Sequence, residues 1–582
     1  LTGADRFFRT VIADRAGPAI APVLLLSATI ARGDGGARVN TAQLAGVDTR
    51  FWNLSPAGDP MSLPSDTVAV NERLAQQLGV KEGDAVVIRM ERPALFSKDA
   101  PLSGEEADLV SVRAKVAQVV VQQNFGHFAL SASQVPPFTI YVPLASLQER
   151  IGLGAKANVL IGSITAGHAA VSMPWESFAD RRTLEGTATA GPVWTLEDAS
   201  LELRDLTGNA GVELRSPRVF LDPPVVTAAP PAQDGRRVEA LTYLVNELRA
   251  GARATPYSMV TAVETASSGF LPAELADDEI VVSQWLADDL GITAGAKLTL
   301  KYFVMGERRE LTEKVRDFTV LAVLPMSEPQ LNSSWMPEFP GLHDAENCRD
   351  WKPGFSMDLT KMRPKDEDYW DQYKGTPKAF VNLRIGQEMW GNRWGNVTSI
   401  RWPAGTDRAG VEQALLGNLA PEQLGFQLIP LGKQALAAAE APVDFGQLFV
   451  SFSFFLIIAA AVLTGLLFTF TIEQRTEQVG TLLAVGLQPR QVRSLLLREG
   501  LVLAVAGSLI GSAAGVTYTL LVLRGLATVW RGAVGMAEFE FAARPVSLTG
   551  GVVGSVAIAL FAMWFASRRL LRRSVRQLMT DE

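Results

Sequence analysis

Three long stretches near the end of the chain contain no charged side chain. They run from residue 448 to 472, from 500 to 523 and from 545 to 567. As α-helices, each would reach roughly 34 to 37 Å, which exceeds the roughly 30 Å hydrocarbon core of a bilayer. Buried helices of a large soluble protein seldom run this long without a charge, so the pattern predicts three membrane-spanning helices.

A shorter apolar stretch, "GPAIAPVLLLSATIA", lies near the start of the chain at residues 17–31. It would reach only about 22 Å as a helix, and Pro18 and Pro22 are unfavourable inside one. The stretch is therefore too short to span a membrane. We predict a buried β-strand over "PVLLLSATI".

A polar segment, "TIEQRTEQVGTLLAVGLQPRQVRSLLLREG" (471–500), separates the first two apolar stretches and carries seven charged side chains. Its apolar residues recur every three or four positions on either side of a break, at Val479, Leu482, Leu483, Val492, Leu495 and Leu496. This spacing predicts two short amphipathic helices. Gly486 suits the end of the first helix and Pro489 the first turn of the second. Either lipid headgroups or a partner protein is expected to cover the apolar stripe.

The charge of the chain is divided by position. Residues 473–582 contain 12 Arg, no Lys and 7 Asp or Glu, and are net +5; since the whole chain is −7, residues 1–472 carry −12. Four arginines lie in 473–499 and five follow residue 567, against three between the second and third apolar stretches. By the positive-inside tendency, the polar segment and the tail are cytoplasmic and residues 1–447 lie outside. Because no signal peptide is visible, we expect a membrane helix before Leu1.

The front of the chain contains an internal duplication. "DTVAVNERLAQQLGVKEGDAVVIR" (66–89) aligns without gaps to "DEIVVSQWLADDLGITAGAKLTLK" (278–301). Each copy has the pattern of a strand, a helix, a glycine turn and a second strand. "PVLLLSA" is loosely similar to "PYSMVTAVE" before the copies, and "FTIYVPLASLQERIGLGAKANVLI" to "KAFVNLRIGQEMWGNRWGNVTSI" after them.

We predict five parts from these patterns. Two related α+β units occupy 1–165 and 250–405, with a small β insertion and a linker over 166–249 between them. A connector (406–447) then leads to a membrane domain (448–582).

The polar segment and the following span carry a family pattern. "EQRTEQVGTLLAVGLQPRQVRSLLLREGLVLAVAGSLIGSAAG" resembles FtsX-like and MacB-like ABC transporter permeases, in which an Arg-x-x-Glu-Ile-Gly segment, an Ala-x-Gly turn and a second helix lead into a Gly-rich span. Arg475, Gly480, Ala484 and Gly486 fall on that pattern, as does Glu499 before the span. The family's usual Glu is Gln478 here, with Glu477 one residue earlier.

The resemblance implies that residues 473–499 are a coupling hairpin that docks on a separate ATP-hydrolysing chain. The expected interface residues are Arg475, Glu477, Gln478, Gly480, Ala484, Gly486, Pro489 and Arg490. The sequence contains no Gly-x-x-x-x-Gly-Lys-Ser/Thr phosphate loop, so any ATPase comes from another chain. We expect no enzymatic activity, no cofactor and no nucleic-acid partner in this chain.

A second stretch, from "TAQLAGVDTRFWNL" (41–54) through "NERLAQQLGVKEGDAVVI" (71–88), looks like the periplasmic core domain of MacB-like permeases. The resemblance implies a membrane protein with an α-helical transmembrane segment and a large, internally duplicated α+β extracytoplasmic domain. The implied location is the bacterial cytoplasmic membrane, which the chain would cross several times.

Glycines recur every four residues in the last two apolar stretches, at Gly507, Gly511 and Gly515 and again at Gly550 and Gly554. Small residues at this interval let helices approach closely in lipid. The pattern fits a permease homodimer or heterodimer, and it equally fits packing among helices of one chain.

Residues that could support other chemistry are few. "HDAENCRD" offers His343, Asp344, Glu346, Cys348 and Asp350, but it lacks the paired Cys or His spacing of zinc sites, so we favour a solvated polar loop and no metal. Six tryptophans crowd into 68 residues, at positions 335, 351, 370, 390, 394 and 402. We favour core packing for them over a lipid or partner surface.

The sequence therefore leads to one principal hypothesis and its rivals. A permease subunit would transmit the ATP-driven motion of its partner to the outer domains, to export or extract a lipid, lipoprotein, peptide or drug. The rivals are a membrane-anchored outer binding or scaffold protein, a regulator of cell-wall hydrolases, and an outer-face enzyme.

Overall fold

The computed structural model divides the chain into two compact units. One contains residues 1–128 and 137–429, and the other contains 129–136 and 430–582. We name them the sheet unit and the helical unit. The residues that the structure describes are 2–3, 6–16, 19–58, 60–97, 100–103, 108–131, 136–162, 194–232, 236–306, 310–355, 357–427, 429–432, 434, 445–528 and 541–571.

The sheet unit contains two large sheets, each of nine strands within the described residues. The strands of the first sheet are β1 (Thr2–Gly3), β3 (Ile20–Arg32), β4 (Arg38–Val47), β5 (Thr67–Asn71), β6 (Ala85–Glu91), β7 (Leu109–Val120), β8 (Thr139–Pro143), β10 (Val159–Gly162) and β20 (Phe426–Gln427). The strands of the second are β11 (Glu202–Asp205), β12 (Val212–Arg215), β13 (Val238–Ala250), β14 (Arg253–Val263), β15 (Glu279–Ser283), β16 (Lys297–Met305), β17 (Leu311–Leu324), β18 (Ala379–Asn382) and β19 (Ser399–Trp402). Strands β2 (Phe8–Arg9) and β9 (Lys156–Ala157) form a separate pair. The strand predicted over "PVLLLSATI" is part of β3, so that prediction is confirmed.

Helices connect and cover these strands. They are α1 (Val11–Ala16), α2 (Thr49–Asn53), α3 (Glu72–Leu78), α4 (Leu144–Ile151), α5 (Pro223–Ala228), α6 (Thr265–Ser268), α7 (Gln284–Leu290), α8 (Pro364–Tyr373), α9 (Leu383–Trp390) and α10 (Arg408–Asn418). Between β5 and β6, α3 begins where the Asn71 side chain accepts a hydrogen bond from the Leu74 backbone N–H. Ser283 does the same for Leu286 in α7, between β15 and β16. Each copy therefore has the predicted strand, helix and strand.

Seven strands have the same order in the two sheets, from β10 to β6 and from β19 to β16, which confirms the duplication. The first runs β20-β1-β10-β3-β4-β8-β5-β7-β6 and the second β11-β12-β19-β13-β14-β18-β15-β17-β16. The bulge between Val68 and Ala69 recurs between Ile280 and Val281, at the offset of the sequence repeat. In each sheet one further pairing, β3 with β6 or β13 with β16, closes six strands into a barrel around an apolar core.

The predicted boundaries of the second copy were wrong. Its long first strand, β13, begins at Val238, inside the segment assigned to an insertion and linker. "PYSMVTAVE" lies in β14, so "PVLLLSA" in β3 corresponds to the strand before it. Strands β11 and β12 belong to the second sheet through the pairing of β12 with β19, and are no separate insertion.

The predicted linker and connector also differ from the structure. Ala229 and Ala232 are buried in a core, so this part of the predicted linker is packed. The connector begins with α10 and β20, and β20 pairs with β1 of the first sheet. Residues 163–193 lie outside the described residues.

The two copies interlock through a loop of the first. Phe96, Ala100 and Leu102, between β6 and β7, are buried in the core of the second barrel. The ring of Phe96 stacks on that of Phe220, with centroids 6.3 Å apart. Gly354 of the second copy lies so close to Ser103 that a Cβ at position 354 would overlap the Ser103 backbone oxygen. The loop therefore ties both barrels into one unit.

The tryptophan-rich region is core, as predicted. Five of the six side chains are buried and Trp394 is partly buried. The guanidinium of Arg401 lies 3.4 Å from the ring centroid of Trp335 and donates to buried Glu213, which fastens this region to the second sheet. In "HDAENCRD" His343, Asp344, Glu346 and Asp350 are exposed, and the described residues contain no group of three metal-ligating side chains.

The single cysteine, Cys348, is 1% exposed, and burial raises the pKa of its thiol to about 11. Because the thiolate is the reactive form, we expect a maleimide to leave the native protein almost unlabelled at pH 7. Unfolding in urea should give one label per chain. Mass spectrometry of samples quenched with and without urea measures both states, and rapid native labelling would contradict the burial.

The helical unit consists of α11 (Phe445–Gln474), α12 (Thr476–Ala484), α13 (Pro489–Thr528) and α14 (Pro545–Leu570). Within the described residues, α11, α13 and α14 are long and apolar enough to cross a membrane. They contain all three predicted spans. One expectation was wrong: the second amphipathic helix is no separate element, because α13 runs without interruption from Pro489 through the second span.

Candidate functional site

The candidate site is the turn between α12 and α13, at the tip of the polar segment. Gly486 follows α12 with a φ of 99°, a conformation that favours glycine. Its N–H donates to the Leu483 carbonyl at 3.1 Å, and the N–H of Leu487 donates to the Leu482 carbonyl at 3.1 Å. Pro489 then begins α13. The predicted roles of Gly486 and Pro489 in the turn are those that the backbone shows.

The hairpin has a small apolar core of its own. Val479 of α12 and Val492 of α13 are both buried. Around them pack partly buried apolar side chains, which are Leu482, Leu483, Leu487, Leu496, Ala566 and Leu571. The last two come from α14 and its end. Residues of the same chain thus cover most of the apolar stripe, whereas the sequence predicts that lipid headgroups or a partner protein cover it.

An ion pair joins the base of the hairpin. Arg475 lies at the break between α11 and α12, and its Nη1 is 2.9 Å from Oε1 and 3.0 Å from Oε2 of Glu499. Both side chains are partly exposed, so the pair adds at most about 1 kcal/mol. It links the break between α11 and α12 to α13, since Glu499 belongs to α13.

Six of the eight predicted interface residues are exposed at the hairpin surface. They are Glu477, Gln478, Ala484, Gly486, Pro489 and Arg490. Arg475 is half-buried and directed to Glu499, and Gly480 is buried against the hairpin core. Gly480 therefore offers no surface to a partner, because it is buried by other residues of the same chain.

Sequence reasoning missed Val485. Its side chain is 77% exposed at the tip of the hairpin, between exposed Ala484 and Gly486. Leu495, placed on the covered stripe by its spacing, is also exposed. An exposed apolar side chain at the tip of an ordered turn is a candidate contact for a partner. The signal available in the sequence was the position of Val485 next to the turn glycine, off the apolar stripe that the helical periodicity predicts.

The five glycines predicted to pack helices are uncovered within the described residues. A Cβ added at Gly507, Gly511, Gly515, Gly550 or Gly554 would meet no atom within 4 Å. Helices α13 and α14 meet instead where Ser555 Oγ lies 3.0 Å from Ser508 Oγ. Packing of these glycines against helices of the same chain is therefore not what the structure shows.

Comparison with known proteins finds a family match for the C-terminal part of the chain. Residues 450–575 match the family model of the FtsX-like permease C-terminal domain, which confirms the predicted resemblance there. No curated protein matches the chain.

Two solved structures are similar to part of the chain. The periplasmic region of MacB from Actinobacillus actinomycetemcomitans is 11% identical, and the similarity covers 32% of this chain and 86% of that one, with a TM-score of 0.21. A domain described as that of a permease protein from Porphyromonas gingivalis is 13% identical, covering 37% and 74%, with a TM-score of 0.19. Likeness at this level says nothing of activity or partners.

Proposed function

We propose that this chain, whose residues 450–575 are an FtsX-like permease domain, is the membrane subunit of an ABC transporter and docks on a separate ATPase chain through the hairpin 473–499. The observation that carries the proposal is exposed Val485 at the tip of a hairpin whose remaining apolar residues are largely covered. A tip of this kind is suited to entering a pocket on a partner, where full burial of the valine side chain would contribute roughly 1.5 to 3 kcal/mol.

The continuity of α13 supports a mechanical role for the hairpin. This helix contains 40 residues, so it is roughly 60 Å long, and it begins at the hairpin itself. The contact of Val479 with Val492 and the pair of Arg475 with Glu499 attach α12 to its first turns. A push on the tip would therefore move a helix that crosses the membrane without a break.

The remaining parts of the proposal follow from charge and exposure. The arginine distribution favours a bacterial cytoplasmic membrane with the hairpin inside and residues 1–447 outside. The uncovered glycine faces of α13 and α14 favour a homodimer or heterodimer of permease chains. The transmitted motion would act on a lipid, lipoprotein, peptide or drug at the outer face.

The side of the membrane on which the hairpin lies is the first test. In a Cys348→Ser background, single cysteines replace Val485 or Val315, both of which are exposed, the latter in the sheet unit. With a membrane-impermeant maleimide on intact spheroplasts, we expect Val315→Cys to label fully and Val485→Cys only after permeabilisation. Labelling of Val485→Cys in intact cells would exclude an ATPase-docking role for the hairpin. It would favour the rival hypothesis of a membrane-anchored binding or scaffold protein.

A further inference from the structure

A buried lysine in the second copy of the sheet unit has no function in the proposal above. Lys378 precedes β18, and its side chain is 5% exposed. Its Nζ lies 4.3 Å from the ring centroid of Trp285 and 4.6 Å from that of Tyr369. The faces of the two rings attract a cation, so they hold the ammonium in its charged form.

The Lys378 ammonium makes no hydrogen bond to the residues that the structure describes. The nearest carboxylate oxygen, Oδ1 of Asp366, is 3.9 Å away, which is beyond hydrogen-bond distance. Asp366 is already engaged, because it accepts from Arg363 Nη2 at 2.7 Å and from Arg363 Nε at 2.8 Å. The three ammonium protons therefore have no acceptor among the described residues.

The ion-pair network that includes Lys378 has three cations and two carboxylates, and Lys378 is its one buried cation, since the side chains of Arg363 and Lys365 are 30% and 49% exposed. The carboxylates are Asp289 and Asp366, and the cations are Arg363, Lys365 and Lys378. Burial lowers the pKa of Lys378 to about 8, which still leaves the ammonium mostly charged at pH 7. The neighbouring thiol of Cys348, with its raised pKa, stays neutral at that pH and does not balance the charge.

A cavity of about 20 Å³ adjoins the ammonium and is lined by Lys378, Trp351, Thr376 and Asp366, among others. The indole N–H of Trp351 is buried and has no hydrogen-bond partner in the part of the chain that the structure describes. A single water needs at least about 10 to 15 Å³, so the cavity has room for one water or one monatomic ion and excludes a carboxylate or phosphate.

We propose that this cavity binds one monatomic anion, chloride in ordinary media, held by the ammonium of Lys378 and the indole N–H of Trp351. A water would satisfy the donors but would place no anion in contact with the buried ammonium of Lys378, whereas a halide does both. A metal cation is disfavoured, because both unpartnered groups are donors. The site is independent of ATPase docking.

The test uses the full chain in detergent. Thermal unfolding is followed by tryptophan fluorescence while sodium chloride or sodium bromide replaces sodium gluconate at constant ionic strength. We expect a saturable rise in Tm with either halide, and an anomalous bromide peak within the cavity in crystals grown with bromide. A Tm that does not change with halide concentration would overturn the proposal, as would a cavity that holds only water in the bromide crystals.

Matched variants locate the effect. Trp351→Phe keeps a buried ring but removes the N–H, so we expect the halide midpoint to rise about tenfold, as for loss of one hydrogen bond to a charged group. Trp390→Phe removes another buried, unpartnered indole N–H from the same core, outside the cavity lining, and should leave the midpoint unchanged. Lys378→Met should abolish the dependence. Equal midpoints in the two tryptophan variants would contradict the site.

Discussion

Replacing Val485 with aspartate is expected to weaken binding of the proposed ATPase partner at least about thirtyfold, or about 2 kcal/mol, because the change removes the burial of an aliphatic side chain and places a carboxylate in an apolar pocket. The substitution should leave the hairpin folded, because Val485 is 77% exposed and the core around Val479 and Val492 is untouched. The measurement is the amount of ATPase that co-purifies with the tagged chain, together with the ATP hydrolysis of the pair in nanodiscs.

The matched control is Val315→Asp, which places the same change on an exposed valine of β17 in the sheet unit. It should keep both the ATPase and its activity. If both variants retained the partner, the hairpin tip would not be the docking surface. If both variants lost the ATPase, the loss would reflect general damage to the protein, and docking through the hairpin tip would again be contradicted.

The same surface explains why Gly480 is a poor test of docking. It is buried beside Val479, so a charged side chain there would disrupt the hairpin core and reduce ATPase binding indirectly. Glu477 and Gln478 are exposed on the same helix and report on the surface itself. The family pattern has Glu where this chain has Gln478. The effect of this difference is therefore best tested with Gln478→Glu, whose ATPase binding is compared with that of Val485→Asp.

Features set by local periodicity were predictable from the sequence. The three spans follow from runs without charge, the strand–helix–strand repeats follow from alternation and caps, and the turn follows from Gly486 and Pro489. Each depends on residues close together in the chain. The duplication was visible because the two copies align without gaps, and the sheet bulges recur at the same offset.

Features set by distant packing were not predictable in the same way. Val238 begins a core strand of the second barrel, yet the polar and proline-containing residues before it indicated a linker. The apolar stripe of the hairpin is covered by Ala566 and Leu571, about 80 residues away in the chain. The local sequence at neither position indicates its partner, so the covering of the stripe by the same chain emerges only from the structure.

The interlock of the two barrels leads to the second large effect. Gly354→Ala is expected to destabilise the second copy by about 2 kcal/mol or more beyond the cost of its backbone conformation, because the new Cβ overlaps the backbone of Ser103 and cannot be relieved by a side-chain rotation. Its φ of 78° adds about 1 to 2 kcal/mol for any residue with a Cβ. Cys348, buried in the same core, reports the local opening through its thiol.

Gly35→Ala is the matched control, since Gly35 has the same φ of 78° but a Cβ there would meet nothing within 4 Å. Labelling of Cys348 by excess thiol reagent in native buffer should accelerate at least about thirtyfold in Gly354→Ala, which corresponds to 2 kcal/mol of easier opening, and should change little in Gly35→Ala. Because the overlap is with the first copy, the acceleration would mean that the loop holding Phe96 and Leu102 stabilises the second barrel. Equal labelling rates in the two variants would instead mean that the barrels keep their cores independently, and the loop would then be a passive contact.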